Sequence, residues 1–408
     1  MFDSNSYQRF GDKQNSAFFE EYLYRVLAER DRCGLTDMIG GIEALMIAVE
    51  PGKSLEYIAE LALMTPYHYL VTLDGPKHMT HVLRIDMNSP DILLREIKDP
   101  DYTDLFRSLN DQYPVGSRRP HSRYLGEILR VTNRLDVVAM QQEREFRFLT
   151  MGQLTELDLP LNFSVSKPSP YTQNVVGYME RPSDGIRVYQ HGVSTIMADA
   201  QAAYERGKIM QEHIGVKDML MPIDHLATRV YSQNREAALL EYLALSSYYY
   251  WGSYDIKDQN SSTNVTKNVR GDPESMSPAK VFTANNLPYC VNHLDKLPSP
   301  TESFVRNYGP RLHHMALTVI DGQTNGMENI DFVVSAIASQ GKRFLLDTVG
   351  SREEGLKQIF SSASDFSSLI IEYVQRFDGF QGFFARDNVA HLTFAAGLEE
   401  GVQAKSTE

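Results

Sequence analysis

A strand followed by a helix begins four times along this chain, and this repetition constrains the fold more than any other feature. The first start, from Gly41, runs through an alternating apolar segment, a Pro-Gly turn and an amphipathic helical segment. Similar starts follow from His191, Ile223 and His314. Two starts in each half of the chain indicate an internal duplication.

The length of 408 residues predicts two or three domains at about 150 residues per domain. Polar and then helical residues at the N-terminus predict an extension that packs on the first domain. A predicted boundary between Gly215 and Met221, ahead of Pro222, separates the halves. The predicted divisions are an N-terminal extension at 1–37, a first domain without metal at 38–215, a second, catalytic domain at 216–400 and a tail at 401–408.

Charge and composition exclude several classes of partner. The formal net charge of −13 argues against binding to a phosphate backbone, and no basic stripe with interleaved aromatic residues is present. The two cysteines, Cys33 and Cys290, argue against a disulfide framework and favour a reducing compartment. No leader-like or membrane-spanning apolar run is visible. We therefore expect a cytoplasmic protein without nucleic-acid or membrane partners, and leave open whether it forms a homo-oligomer.

Three candidate metal ligands, His225, His314 and Glu372, stand on strand-like segments of the C-terminal half. Alternation places each histidine on a face with small residues, opposite an apolar face, and selects His314 over His313. A lone histidine on a strand is usually structural, so the assignment depends on the three segments together. Two imidazoles and one carboxylate can hold one face of an octahedral Fe²⁺ and leave positions open for substrate and oxygen.

Short stretches that flank these ligands occur in a fixed order over about residues 222–395. They are IDH at 223–225, VFTANN at 281–286, HHMAL at 313–317, QIFS at 358–361, EYVQR at 372–376 and GFF at 382–384. In this order they resemble the catalytic domain of the 4-hydroxyphenylpyruvate dioxygenase family, within the vicinal-oxygen-chelate superfamily. The resemblance implies an α+β fold of two domains, each a pair of βαβββ modules curled into an open barrel.

The N-terminal half resembles the family more thinly, through the segments that begin at Gly41 and His191. The family's first domain has lost its metal site. Glu43 stands where the first histidine of a module would be expected, which agrees with that loss.

The resemblance also implies a function. It implies a non-haem Fe²⁺ dioxygenase that takes a 2-oxo acid and O₂, and couples oxidative decarboxylation to hydroxylation of the substrate. Gln358, Gln375 and Asn292 are the implied catalytic side chains beside the metal ligands. The implied substrate contacts are Lys280, Asn292, Phe304, His313, Gln358, Phe380, Phe383, Phe384 and Asn388.

Several positions depart from the family pattern. Lys280 stands where the family usually has a serine, unless Ser277 takes that role, and His313 stands where the family usually has a glutamine. Phe304 is apolar where the preceding helix usually carries a glutamine. The stretch between His314 and Glu372 is also shorter than is typical of the family. These are substrate-holding positions, so the resemblance supports the iron chemistry more strongly than 4-hydroxyphenylpyruvate as the substrate.

Two other functions stay open from the sequence. An extradiol ring-cleaving dioxygenase uses the same ligand set on the same fold, but needs a further acid/base histidine or tyrosine near the metal. Alternation places His313 and Tyr373, the nearest candidates, on strand faces opposite the ligands. A binding protein that keeps the fold without turnover is the second alternative.

Overall fold

The computed structural model describes residues 10–11, 13–182, 184–256, 260–268, 277–286, 300–345, 347–380 and 382–405. In the N-terminal half the elements are β1 Phe10–Gly11, α1 Lys13–Arg32, α2 Leu35–Met38, β2 Ile39–Val49, α3 Ser54–Met64, β3 His68–Asp74, β4 His78–Arg84, β5 Asp91–Ile97, α4 Arg107–Asn110, β6 Arg123–Val131, α5 Arg134–Glu143, α6 Met151–Glu156, β7 Ser164–Val165, β8 Val175–Glu180, β9 Ser194–Thr195 and α7 Ala198–His213. In the C-terminal half they are β10 Leu220–Arg229, α8 Arg235–Leu245, β11 Tyr248–Ile256, β12 Ser261–Asn268, β13 Ala279–Asn285, α9 Pro300–Tyr308, β14 Arg311–Val319, β15 Gln323–Thr324, β16 Met327–Glu328, α10 Asn329–Ala338, β17 Val349–Ser351, β18 Leu356–Phe360, β19 Ile370–Arg376 and α11 Arg386–Lys405.

These elements build two mixed sheets covered by helices, so the predicted α+β class is confirmed. The first sheet has eight strands in the order β7-β8-β6-β2-β5-β4-β3-β9, and the second has nine in the order β1-β11-β12-β13-β10-β14-β19-β18-β17. At the centre of each sheet two antiparallel strands, β2 with β6 and β10 with β14, each carry a parallel partner on the outer side. Each sheet is thus built from two modules of the βαβββ type, although the second module of the first sheet has only three strands, β6, β7 and β8.

Three of the four predicted strand-to-helix starts begin a module, at β2 into α3, β10 into α8 and β14 into α10. The fourth, near His191, has the predicted order, β9 into α7, but it does not begin a module. Strand β9 is a two-residue edge strand, and the second module of the first sheet begins at β6 and α5. Half of the residues of helix α5 are polar and only Val137 and Gln141 are buried, so the helix shows little apolar periodicity. The small residues of α7 allow this helix to pack closely on α3. A Cβ on Gly207 of α7 would lie 2.1 Å from the Ala59 carbonyl oxygen of α3.

The N-terminal segment packs on the second sheet, whereas the sequence led us to expect the first domain. Strand β1 pairs in parallel with β11, and α1 contacts α8 and β11. Near the end of α1 the buried Arg30 donates hydrogen bonds to the carbonyl oxygens of Leu243, Ser246 and Tyr248. A buried guanidinium needs such acceptors, and the end of α8 supplies them.

The two faces of each sheet pack against different surroundings. Leu45 of the first sheet and Leu226 and Leu317 of the second belong to one apolar core that spans both halves. Ala227 and Ala316 face the opposite way, into the interior of the second sheet's barrel. The predicted asymmetry between a small-residue face and an apolar face is therefore present. None of the helices within the described ranges is both long and apolar enough to cross a membrane.

The two sheets match each other position by position. The pairing of β2 with β6 shifts register at three places, and the pairing of β10 with β14 shifts at three equivalent places. In this alignment the matching residues are Ala44 and His225, Gly126 and His314, and Gly177 and Glu372. At these three described positions the first sheet has no imidazole or carboxylate. Glu43, which we expected at the histidine's position, matches Asp224 instead.

Gly126 has a structural reason of its own. Its φ is +149°, and a Cβ there would lie 1.9 Å from the Val175 carbonyl oxygen, in the pairing of β6 with β8. We expect Gly126→Ala to lower the free energy of unfolding by about 3 kcal/mol, because either the strand pairing or the backbone must shift. Urea unfolding followed by circular dichroism measures this loss.

Gly152→Ala is the matched control. Gly152 lies in α6, and the nearest atom to an added Cβ is Thr150 Oγ1 at 3.9 Å. This variant should be as stable as the wild type or more stable by about 0.5–1 kcal/mol, since alanine favours a helix. Equal unfolding midpoints for the two variants would contradict the close approach at Gly126.

Candidate metal centre

The structure brings the three predicted ligands together. His225, His314 and Glu372 lie on the adjacent strands β10, β14 and β19, and all three are buried. One ligand atom from each lies within 4.8 Å of the others. Glu372 Oε2 is 3.1 Å from Nε2 of His225 and 3.2 Å from Nε2 of His314. The group therefore has a common point at which one ion can be held.

Two β-bulges aim these side chains. Asp224 is the extra residue on β10, between the pairs Ile223–Leu317 and His225–Ala316. On β14 the extra residue is His313, which lies between the partners of Ala227 and Thr228. A bulge breaks strict alternation and turns two neighbouring side chains towards one side.

The second bulge corrects the prediction that His313 faces away from the ligands. His313 lines the same cavity as His314, and the two Nδ1 atoms are 2.9 Å apart. Tyr373, in contrast, does point away, and its hydroxyl donates a hydrogen bond to the Met64 carbonyl oxygen.

The partners of Nδ1 direct both Nε2 atoms towards Glu372. Nδ1 of His225 lies 2.8 Å from Asp224 Oδ1, and Nδ1 of His314 lies against His313. Arg376 donates two hydrogen bonds to the Asp224 carboxylate, at 2.9 and 3.0 Å. A histidine held from behind by a carboxylate in this way is typical of metal sites, where the partner sets the tautomer and the ring orientation.

Burial and neighbouring charges shift the pKa values of His225 and His314 in opposite directions. Burial lowers the pKa of His225, but the Glu372 and Asp224 carboxylates raise it more, to about 9. Burial, the nearby His225 and the Arg229 guanidinium hold the pKa of His314 well below its ordinary value. The cluster therefore carries one proton that a cation can replace.

The residues fit a divalent metal. His225 Nε2 is buried and, despite its short distance to Glu372, has no aligned hydrogen-bond partner. Buried polar atoms nearly always have one, so this nitrogen is available to an ion. Two neutral imidazoles and one carboxylate form a donor set that suits first-row transition metals.

A small cavity of about 50 Å³ lies beside His314 and Glu372. Gln358 lines it: its Nε2 donates a hydrogen bond to Glu372 Oε1 at 2.7 Å, and its buried Oε1 has no partner. The other described lining residues are Ala227, Arg229, Ser261, Thr263, Val281, Thr283, Thr301, His313, Phe360, Phe384, Val389, Leu392 and Thr393. Hydroxyl groups thus cluster on the strands, and apolar groups on the side of α11.

Aromatic rings enclose the ligands. The rings of Phe383 and Phe384 lie 5.4 and 5.2 Å from the ring of His225, and Phe360 lies 4.7 Å from His314. Phe384 also lines the cavity, and its backbone N–H donates a hydrogen bond to the Tyr254 hydroxyl. These contacts keep the ligand atoms out of water.

No protein-family model and no curated protein sequence matches this chain. Solved structures do match it in fold. A mutant of 4-hydroxymandelate synthase from Streptomyces coelicolor aligns with a TM-score of 0.62 at 15% identity, over 89% of this chain and 99% of that one. The protein has the vicinal-oxygen-chelate fold.

A second match is a fusion of a xylose isomerase-like TIM barrel with 4-hydroxyphenylpyruvate dioxygenase. It aligns with a TM-score of 0.52 at 13% identity, over 88% of this chain. The match spans 52% of the fusion protein. At these identities the comparisons concern the vicinal-oxygen-chelate fold, and the resemblance expected from the sequence is confirmed at that level.

Three other predicted residues lie away from the centre of this vicinal-oxygen-chelate domain. Lys280 pairs in register with Leu226, on the face opposite His225, and its ammonium contacts Glu127 Oε1 at 2.9 Å. Gln375 faces away from Glu372, and its Oε1 accepts a hydrogen bond from the backbone N–H of Ile330. The Asn388 amide donates a hydrogen bond to the Leu356 carbonyl oxygen.

Two further predicted residues, Phe380 and Phe304, do not line the cavity. Phe380 packs against Gly355 and Gly382. The ring of Phe304 lies 5.0 Å from the ring of His313 and supports that side chain from behind. Asn292 lies outside the described residues.

Two functional side chains were missed. Arg229 lines the cavity, with its guanidinium 5.0 Å over the Phe304 ring. Alternation already placed Arg229 on the face of His225, so the sequence contained the indication. Asp224 was missed because strict alternation puts it on the face opposite His225. The bulge on β10 brings its carboxylate to the His225 imidazole.

We expect Asp224→Asn to weaken metal binding by about 10–100-fold, because the amide holds the imidazole of His225 less firmly than a carboxylate does. His314→Ala and Glu372→Ala should lose the ion altogether, whereas His313→Ala should retain it with reduced affinity. Isothermal titration with Zn²⁺ measures these affinities. Asp218→Asn, at an exposed position, is the control, and an Asp224→Asn protein that binds as tightly as this control would argue against the supporting carboxylate.

Metal affinity should also rise with pH. The ion takes the unprotonated imidazole, so binding expels the His225 proton at any pH below its pKa of about 9. We expect the apparent affinity for Zn²⁺ to increase by up to about tenfold per pH unit between about pH 6 and pH 8. Competition with a chelator of known pH dependence measures the slope. An affinity that does not change with pH would show that His225 is already neutral in the metal-free protein.

Proposed function

We propose that this protein is a non-haem Fe²⁺ dioxygenase that acts on a 2-oxo acid and couples its oxidative decarboxylation by O₂ to hydroxylation of the substrate. The observation that carries the proposal is the buried group of His225, His314 and Glu372 beside a small cavity. A 2-histidine-1-carboxylate face with open positions is typical of non-haem Fe²⁺ oxygenases. Bound Fe²⁺ would supply redox chemistry and the coordination of the 2-oxo acid.

The side chains around the cavity have separate parts in this proposal. Arg229 adds positive charge to the wall, which suits an anionic substrate. Gln358 is anchored on Glu372 through its Nε2, so its unpaired Oε1 can accept a hydrogen bond from a substrate that carries a hydroxyl group on its side chain. Phe383 and Phe384 cover the His225 side and exclude water, which protects a reactive oxidation from side reactions.

The size of the cavity limits how a substrate enters. About 50 Å³ is far below the roughly 300–1,000 Å³ of most small-molecule sites. Val389, Leu392 and Thr393 of α11 form one wall, and Phe384 lies just before that helix. We infer that α11 moves outwards when substrate binds. Short branched 2-oxo acids need a smaller movement than arylpyruvates.

One observation favours a second candidate, extradiol ring cleavage. That reaction needs an acid/base group near the metal, and the bulge at His313 places an imidazole in the cavity. Burial, the Arg229 guanidinium and His314 hold the pKa of His313 well below its ordinary value, so this imidazole is neutral. Its Nδ1 is already engaged with His314, which leaves only Nε2 for a substrate.

An oxygen electrode tests the proposal. With Fe²⁺ and ascorbate, the protein should consume O₂ and release CO₂ in equal amounts with at least one member of a panel of arylpyruvates and branched 2-oxo acids. Glu372→Ala should reduce the rate to background because it removes a ligand, while Glu353→Ala, at an exposed position, should not. Cleavage of catechols to yellow products without use of any 2-oxo acid would instead establish ring cleavage. Failure of both reactions with iron bound would support a binding protein.

A further inference from the structure

A second and larger cavity, of about 270 Å³, lies between the two halves of the chain. Its walls come from β6, β8 and residues 145–147 and 166–172 of the first half, and from α8 and β13 of the second. Lys280 and Phe282 of β13 face this cavity, whereas Val281 and Thr283 face the cavity beside the metal ligands. The two cavities therefore lie on opposite sides of one strand. We call the larger one the inter-sheet cavity.

A buried ion pair forms its floor. Lys280 and Glu127 are 2% and 1% exposed, and Lys280 Nζ lies 2.9 Å from Glu127 Oε1. The Tyr124 hydroxyl donates a hydrogen bond to Glu127 Oε2 at 2.7 Å. The ammonium also lies over the rings of Tyr124 and Tyr242, 5.2 and 5.6 Å from their centroids. Since the two charges cancel, the floor has no net charge. Lys280 Nζ has no aligned hydrogen-bond partner despite this contact, so it can still donate to an acceptor in the cavity.

Two hydrogen-bond acceptors, Glu241 and Asn174, lie in the wall of the inter-sheet cavity. The Glu241 carboxylate accepts a hydrogen bond from the Ser169 hydroxyl, and burial raises the pKa of this carboxyl to about 7. Asn174 is 6% exposed, and its Oδ1 has no hydrogen-bond partner although it is buried. A buried polar atom without a partner is rare in folded proteins. Asn174 Oδ1 therefore needs a donor, and a cation beside Glu241 would stabilise the ionised form that burial disfavours.

The rest of the wall is apolar. Phe146, Val176, Leu245 and Phe282 line the cavity together with the ring of Tyr242. Such a wall suits a compact hydrocarbon or aromatic group, and the aromatic faces also attract a cation. The volume is close to the lower end of the range of about 300–1,000 Å³ that small-molecule sites occupy.

We propose that the inter-sheet cavity binds a small primary amine with a compact apolar body, whose ammonium group donates hydrogen bonds to Glu241 and Asn174. An ammonium has three donors and no acceptor, so it can satisfy both atoms at once. A carboxylate in that position would face Glu241 and gain little from Lys280, which Glu127 already neutralises. Simple arylalkylamines and apolar amino acids share this chemistry. Arg147 and Lys167, exposed at the rim, suit the carboxylate of an amino acid.

Isothermal titration of the full-length protein with three probes tests the proposal. Phenethylamine and phenylalanine carry the ammonium, and 3-phenylpropionate carries only the anion. We expect one molecule of at least one ammonium probe to bind, and no binding of 3-phenylpropionate. Tighter binding of phenylalanine would identify an amino acid as the ligand class, and tighter binding of phenethylamine a simple amine. Binding of neither ammonium probe, or equal binding of 3-phenylpropionate, would overturn the proposal.

Variants locate the bound amine. Glu241→Gln keeps the shape of the side chain and should weaken binding by about tenfold or more, because a charge-assisted hydrogen bond is lost. Its thermal midpoint should not fall, since a partly buried charge is removed. Glu143→Gln, at an exposed position outside the cavity, should bind like the wild type. Equal binding by Glu241→Gln and wild-type protein would overturn the assignment.

Glu372→Ala separates this site from the metal centre. Amine binding should be unchanged in that variant, whether or not the protein proves to be a dioxygenase. Loss of amine binding in Glu372→Ala but not in Glu241→Gln would place the probe at the metal ligands and refute the inter-sheet site.

Discussion

The candidate metal centre depends on two single-residue bulges in the pairing of β10 with β14. One brings the Asp224 carboxylate to the His225 ring, and the other turns His313 and His314 towards one cavity. A regular ladder would send one member of each pair to the opposite face of the sheet. The same register shifts occur between β2 and β6, where no ligands stand. The bulges therefore belong to the fold, and the metal centre makes use of them.

An acid–arginine pair accompanies the bulge in both halves. Asp224 binds Arg376 in the second sheet, and at the matching positions Glu43 binds Arg181, with Nε 2.8 Å from Oε2. Each pair links a central strand to the outer strand two places away, across the strand that lies between them. Arg187 contacts Glu43 as well. Buried ion pairs often contribute more to a defined geometry than to stability, and here the geometry is that of three neighbouring strands.

The sequence was sufficient for what local patterns determine. The proximity of His225, His314 and Glu372 was predictable because each follows a strand pattern and a short motif in a consistent order. The position of Gln358 beside them was predictable for the same reason. Lys280 was predicted to contact substrate because only the order of its motif was considered. Its neighbour Val281 lines the cavity beside the candidate ligands, so alternation along the strand puts Lys280 on the opposite face. The module that begins at β6 was missed for a different reason. Its helix, α5, buries few residues, so its sequence shows little apolar periodicity.

What the sequence did not show depends on pairing between distant strands. The residues at a bulge have no characteristic composition. The side of the sheet that Asp224 and His313 face is therefore known only once β10 and β14 are paired. The inter-sheet cavity likewise requires Glu127 and Lys280, which are far apart in the chain, to meet at one interface. Alternation within a strand describes each side chain relative to its neighbours and carries no information about such partners.

At the positions that match the three candidate ligands of the second sheet, the first sheet has Ala44, Gly126 and Gly177. It nevertheless has the same strand order, the same bulges and the same acid–arginine pair. The free energy of folding therefore comes from the apolar core and the strand pairing. Small zinc domains are different, because they fold only around their ion. If the proposed ion binds, a chain of this kind can fold first and acquire the ion later. The supply of the ion would then determine how much of the folded protein carries it, and not how much is folded.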